Sequence, residues 1–140
     1  MTWCPPQSRL GTPIAPATGV SQITLGKQGE DLACGELTRR GYAVLATRYR
    51  TRFGEIDIVC DDGGTLVFVE VKARRSNRCG TAVESITSRK QRRIAAMALD
   101  YLAWHHKLEH RVRFDVVAID GIGTDNVRVT VIADAFVIDR

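Results

Sequence analysis

A chain of 140 residues, 44% hydrophobic and 26% charged, is long enough to bury one core and has the composition of a soluble globular domain. It holds no run of the roughly 18 apolar residues that span a bilayer, and "MTWCPPQSRL" lacks the apolar stretch of a secretory signal, so a cytoplasmic protein with no membrane partner is expected. The formal net charge of +4 is modest but uneven: from Lys72 to Arg93 there are eight basic residues and one acid, Glu84, a local +7 that leaves −3 for the remainder.

All four prolines fall within the first 16 residues, among Thr, Ser and Gly and without apolar periodicity. Residues 1–22 are therefore expected to form a disordered tail, and residues 23–140 a single α/β domain. Leu25, Leu32, Ala33 and Leu37 recur at helical spacing and Gly41 supplies a stop, which predicts a first helix ending at Arg40. "YAVLATRYR" (42–50) predicts a strand, and "GEIDIVCD" with "TLVFVEVKA" predicts a hairpin about Gly63-Gly64. Ser88 is placed to cap a second helix of about 16 residues whose buried face carries Ile94, Met97, Ala98, Tyr101 and Leu102. "VRFDVVAID" and "VRVTVIAD" complete the order helix, three strands, helix, two strands. That order predicts a mixed sheet of about five strands flanked by helices.

The four cysteines stand singly, with no C-x-x-C pair, and read as free thiols in a reducing compartment. His105, His106 and His110 have no soft partner at metal-ligand spacing and read as a solvated helix end.

The hairpin raises the question of function, because Asp57, Glu70 and Lys72 interrupt runs that otherwise read as core. A two-residue Gly63-Gly64 turn places Asp57 opposite Glu70 and Glu55 opposite Lys72, with Ile56, Ile58, Val67, Val69 and Val71 on the other, apolar face. Two carboxylates about 5 Å apart repel by about 3 kcal/mol at an effective dielectric near 20. Slipping the turn to Asp62-Gly63 pairs Glu55 with Glu70 instead, and a three-residue loop puts Asp57 and Glu70 on opposite faces. Converging acids with an adjacent lysine suit phosphodiester hydrolysis. Mg²⁺ or Mn²⁺ is held by one or two carboxylates plus waters and phosphate oxygens, and the lysine orients water or offsets charge on the phosphate. The same residues would serve as a surface Glu55–Lys72 salt bridge beside two solvated acids, and spacing alone does not choose.

G-E-I-D (54–57) followed by V-E-V-K (69–72) resembles the Asp…Glu-x-Lys core of restriction-endonuclease-like nucleases, in particular the Holliday-junction resolvases. Together with "GKQGEDLA" (26–33), "VFVEVKARRS", "RKQRR" (89–93), "RFDVVAID" (113–120) and "DAF" (134–136), these blocks resemble the YraN-like family of uncharacterised bacterial proteins, with Asp134 where Asn is the family's residue. The resemblance implies a restriction-endonuclease-like fold. It implies Asp57, Glu70 and the carbonyl of Val71 as metal ligands, Lys72 as the catalytic lysine, Glu30 as an assisting helix carboxylate, and Gln91 as a polar neighbour on the second helix. Arg74, Arg75, Arg78, Arg89, Lys90, Arg92 and Arg93 are then expected to hold the phosphates of DNA, branched or damaged forms included. Cutting both strands with one site per chain would call for a homodimer. A non-catalytic nucleic-acid-binding or partner-binding module on the same fold is the alternative, and the roles of Glu55 and Asp115 stay open.

Overall fold

The computed structural model describes residues 22–75 and 83–138. Of the expected tail only Gln22 is described, as the first residue of a helix; Arg78, Cys4 and Cys79 lie outside the described residues. Helix α1 (Gln22–Arg39) is followed by strands β1 (Ala43–Thr51), β2 (Gly54–Asp62) and β3 (Thr65–Arg74), helix α2 (Ser88–Trp104), and strands β4 (Val112–Asp120) and β5 (Arg128–Ile132). The strands form one sheet in chain order. β3 and β4 are parallel, since α2 carries the chain back between them, and the other neighbours are antiparallel.

The two helices cover opposite faces. Val67 and Val69 of β3 and Val117 and Ile119 of β4 pack in the cluster that holds Ala33 and Leu37 of α1. Leu66 and Phe68 of β3 and Val116 and Ala118 of β4 pack in the cluster that holds all five predicted residues of α2. Burial on both faces is why β3 and β4 read as unbroken apolar runs. α1 stops at Gly41, which supplies a left-handed residue (φ +94°). Leu32 departs from expectation and is exposed, because Ala33 and Leu37 define the packed stripe. Thr87, not Ser88, caps α2: its hydroxyl accepts from Lys90 N at 3.2 Å, and Ser88 becomes the first helical residue.

Gly63 and Gly64 both have positive φ (61° and 99°), as the two-residue turn requires, and Asp61 Oδ1 accepts from Gly64 N at 2.7 Å. The resulting register pairs Ile58 with Val69 and Cys60 with Val67, as the Gly63-Gly64 turn demands. The paired ladder, however, stops at Ile58 and Val69. On β1, Arg48 adopts the left-handed region (φ 51°) between the Thr47–Ile58 and Tyr49–Ile56 pairs, opposite Asp57. This kink turns the pleat over, as a bulge does. Ile58 packs under α1, whereas Ile56 joins the α2 cluster, which corrects the expectation that both lie on one face.

Candidate functional site

The break between β2 and β3 beyond Ile58 and Val69 makes a fork, and Asp57 stands in it. Its Oδ2 accepts from the backbone N of Val71 at 2.8 Å, so the side chain takes an amide that an unbroken ladder would use. Glu70, one residue before that amide, lines the same cleft of about 390 Å³, as do Lys72 and Val71. Glu30 enters from the α1 side. Its position depends on Gly29, where an added Cβ would sit 2.9 Å from the Cβ of Ala73, so only glycine lets α1 lie this close to β3. The Glu30 carboxylate accepts from Arg48 Nε at 2.5 Å, which ties the kink in β1 to the helix.

A second cleft, of about 220 Å³, reaches the same Asp57 and Glu70 and is lined on its far side by Arg93, Ile94 and Met97 of α2. Lys90 borders both clefts, and its Nζ lies 2.5 Å from Glu70 Oε2. Desolvation holds the Asp57 carboxyl well above the usual carboxylate range. The Glu70 charge adds to the rise and Glu30 adds a little more, while the Val71 amide and Lys90 pull it back. Three acids therefore converge, with Lys90 beside Glu70 and Arg48 beside Glu30 as partial compensation.

The predicted residues divide clearly. Asp57, Glu70, Val71, Lys72 and Glu30 share one cleft, with Arg75 and Lys90 at its walls. Gln91 is turned away, donating from Nε2 to the carbonyl of Ile86 at 3.1 Å, where it fastens the loop before α2. Arg74 pairs with Asp120 on β4 (Nη2–Oδ1, 2.8 Å), its partner in register, and so braces the sheet rather than standing free for phosphate. Arg89, Arg92 and Arg93 lie exposed on the first turns of α2. Glu55 pairs with Arg50 across the β1–β2 hairpin at 3.3 Å, not with Lys72, because the ladder that would have aligned it with Lys72 has ended.

Asp115 belongs elsewhere. It is fully buried and accepts from Arg113 Nε (2.8 Å) and Nη2 (2.9 Å), Tyr42 Oη (3.1 Å) and Asp134 N (2.9 Å). Asp134 itself takes a left-handed backbone (φ 53°), which both Asp and Asn tolerate, so Asp where Asn was expected costs little there. His105 is not merely solvated; it stacks on Tyr101 with ring centroids 4.0 Å apart. Burial pushes the Cys34 thiol up to about 11 and the Cys60 thiol up to about 12, so neither is a ready nucleophile at neutral pH. Arg48 and the pairing role of Lys90 had no sequence signal, since each depends on elements docking across the sheet.

A divalent cation fits the donor set of the fork by its chemistry: hard oxygen donors from Asp57, Glu70 and the Val71 backbone, at a place where carboxylates are otherwise in mutual repulsion. Among the described residues no three His, Cys, Asp or Glu side chains form a ready metal cluster. A site here would thus rest on two side chains, a carbonyl and water, the pattern Mg²⁺ favours.

Fold and site together define an α/β protein with a mixed five-stranded sheet whose acidic cleft opens at a strand fork beside a basic helix. The chain belongs to the uncharacterised protein family UPF0102, whose profile it matches over residues 29–119, in keeping with the YraN-like resemblance of its motifs. A UPF0102 protein of Geotalea uraniireducens is 48% identical over 96 residues, covering 69% of this chain and 76% of the relative. One from Anaeromyxobacter dehalogenans is 46% identical over 101 residues (72% and 75%), and one from Syntrophus aciditrophicus 44% over 114 residues (81% and 89%). No helix among the described residues is long and apolar enough to cross a membrane.

Proposed function

We propose that this protein is a Mg²⁺- or Mn²⁺-dependent nuclease that hydrolyses phosphodiester bonds in DNA, with branched or damaged forms as its substrates. The observation that carries this reading is the convergence of Asp57, Glu70, Lys72 and Glu30 on one cleft at the strand fork. Asp57, Glu70 and the Val71 carbonyl would hold the cation. When bound, it would polarise a phosphoryl oxygen and make water a better nucleophile. Lys72, half-buried in the wall of the same cleft, would orient water or stabilise charge on the phosphate. Glu30, held by Arg48, adds a further acceptor from the α1 side. Arg75 at the cleft wall and Arg89, Arg92 and Arg93 on α2 supply charge for phosphates on either side of the bond being cut.

The second reading, a non-catalytic nucleic-acid-binding module, is favoured by Lys90, whose ammonium already neutralises Glu70 from within the chain. Cleavage separates the two. Purified protein is incubated with labelled four-way junction, flap, duplex and single-stranded DNA and an RNA control, in Mg²⁺, Mn²⁺ or EDTA, beside Asp57→Ala and Lys72→Ala. Metal-dependent cutting that both substitutions abolish is expected. Binding without cutting, or cutting that the variants retain, favours the module.

A further inference from the structure

Resting on the nuclease reading, we propose that the turn at residues 51–54, at the tip of the β1–β2 hairpin, is a stacking site for an unpaired nucleobase, so that the strand entering the second cleft is single-stranded there. Phe53 is 41% exposed at this tip, and the guanidinium carbon of Arg52 lies 4.9 Å from its ring centroid. A single exposed apolar side chain is ordinary on a protein surface. Three features set this one apart.

First, the tip is rigid. Thr51 Oγ1 donates to the Gly54 carbonyl at 2.9 Å and accepts from Phe53 N at 3.0 Å, which closes the turn. Second, the tip is braced on α2. Gly54 has φ +137°, and a Cβ there would lie 3.3 Å from Met97 Sδ and 3.7 Å from Arg93 Cδ. A ring presented on a fixed backbone loses little entropy when it binds. Third, Gly54, the residue after Phe53, lines the cleft that leads past Arg93 and Lys90 to Asp57 and Glu70. The path from ring to carboxylates is therefore bordered by cations. Trp104 is more exposed but stands at the opposite end of α2 from the basic first turns.

An aromatic ring, a guanidinium beside it and a cationic groove leading onward are the chemistry that recognises unpaired nucleotides of any sequence. The ring takes a base face, Arg52 adds a cation–π contact, and Arg93 takes a neighbouring phosphate. Paired bases in a duplex keep their faces stacked on one another, so an intact duplex cannot use such a site without opening.

The test uses the full chain in EDTA, with binding to labelled oligo-dT and to a duplex of equal length read by fluorescence anisotropy. Phe53→Ala is expected to weaken oligo-dT binding by roughly 5- to 100-fold, the loss of one stacked base, and duplex binding by less than about 2-fold. Phe53→Tyr, which keeps the ring, is expected to hold wild-type affinity, and an unchanged melting temperature shows that the alanine variant folds. Oligo-dT affinity unchanged in Phe53→Ala, or lost in proportion to duplex affinity, overturns the proposal. Failure of the parent reading looks different: wild type binds oligo-dT with the Phe53 dependence intact but cuts no substrate when metal is supplied. Wild type that does not bind oligo-dT overturns the stacking proposal and leaves the nuclease reading to the cleavage assay on branched substrates.

Discussion

Replacing Asp57 by Asn should make the metal-free protein more stable at neutral and alkaline pH, although it removes a group central to the cleft. Asn is isosteric, and its Oδ1 can still accept the Val71 N–H that now goes to Asp57 Oδ2. What it loses is a charge held in a desolvated place beside Glu70 and Glu30. Because the folded-state pKa is raised, the native protein binds this proton more tightly than the unfolded chain does. Stability therefore falls as pH climbs from the ordinary carboxylate range, about 4, towards the raised value. The neutral variant escapes that decline, so the two proteins match near pH 4 and diverge above it. Each unit of raising corresponds to about 1.4 kcal/mol. Desolvation and the charges of Glu70 and Glu30 outweigh the Val71 amide and Lys90, so a gain of ~1–3 kcal/mol at pH 8 is expected. Urea unfolding in EDTA across pH 4–8 measures it. Added Mn²⁺ should then stabilise wild type by mass action and leave the Asn variant nearly unmoved. If Asp57→Asn is less stable than wild type at pH 8, or wild-type stability is flat with pH, the acid is a structural anchor and the electrostatic reasoning is wrong.

Lys90→Gln should tighten Mn²⁺ binding several-fold in calorimetry without nucleic acid, because Nζ at 2.5 Å from Glu70 competes with any cation; equal or weaker binding would mean that it does not compete. Gly29→Val should cost ~1–3 kcal/mol by overpacking against Ala73, whereas Gly35→Ala on the same helix, where an added Cβ meets nothing, should gain up to about 1 kcal/mol. Thermal melts of the pair check the contrast, and equal effects would mean that α1 does not depend on the close approach at Gly29. Asp115→Ala should cost ~1–3 kcal/mol in urea unfolding by taking the acceptor from Tyr42 Oη and Asp134 N and one of two carboxylates from Arg113, whose Nη1 keeps Asp62 at 3.0 Å; a loss below about 0.5 kcal/mol would show that the network contributes little.

The order of elements, the buried face of α2 and the β2–β3 register were legible because each rests on local chemistry. Apolar spacing marked Ile94 to Leu102, and two glycines in a row left one favoured turn. The fork was not legible. It arises where Arg48, a residue with no preference for left-handed backbone, adopts it while its side chain bonds Glu30 of α1. That one kink moves Ile56 to the α2 face and accompanies the end of the ladder short of Glu55 and Lys72. Gln91 and Arg74 had their partners hidden for a similar reason. Their residue types suit a nucleic-acid site, but which way a side chain turns at a loop junction or sheet end depends on partners, Ile86 and Asp120, that sequence does not bring together.

The sheet holds two inward acids in opposite surroundings. Asp115 is met by a bidentate arginine, a tyrosine hydroxyl and a backbone amide, so its charge is fully compensated by the fold. Asp57 is met by one amide and faces Glu70 and Glu30, so its charge is resisted by the fold. A chain shaped for stability alone would treat both acids as it treats Asp115, or bury apolar residues in their place. Here several departures from local preference coincide: a left-handed arginine, an interrupted ladder and crowded carboxylates all meet at the fork. Elsewhere such departures stand singly, as the register shift between Val44 and Ala46 and the left-handed backbones of His106 and Asp134 do, and their concentration at the fork is what singles it out as the candidate site. The resistance to charge at Asp57 is what a divalent cation would remove.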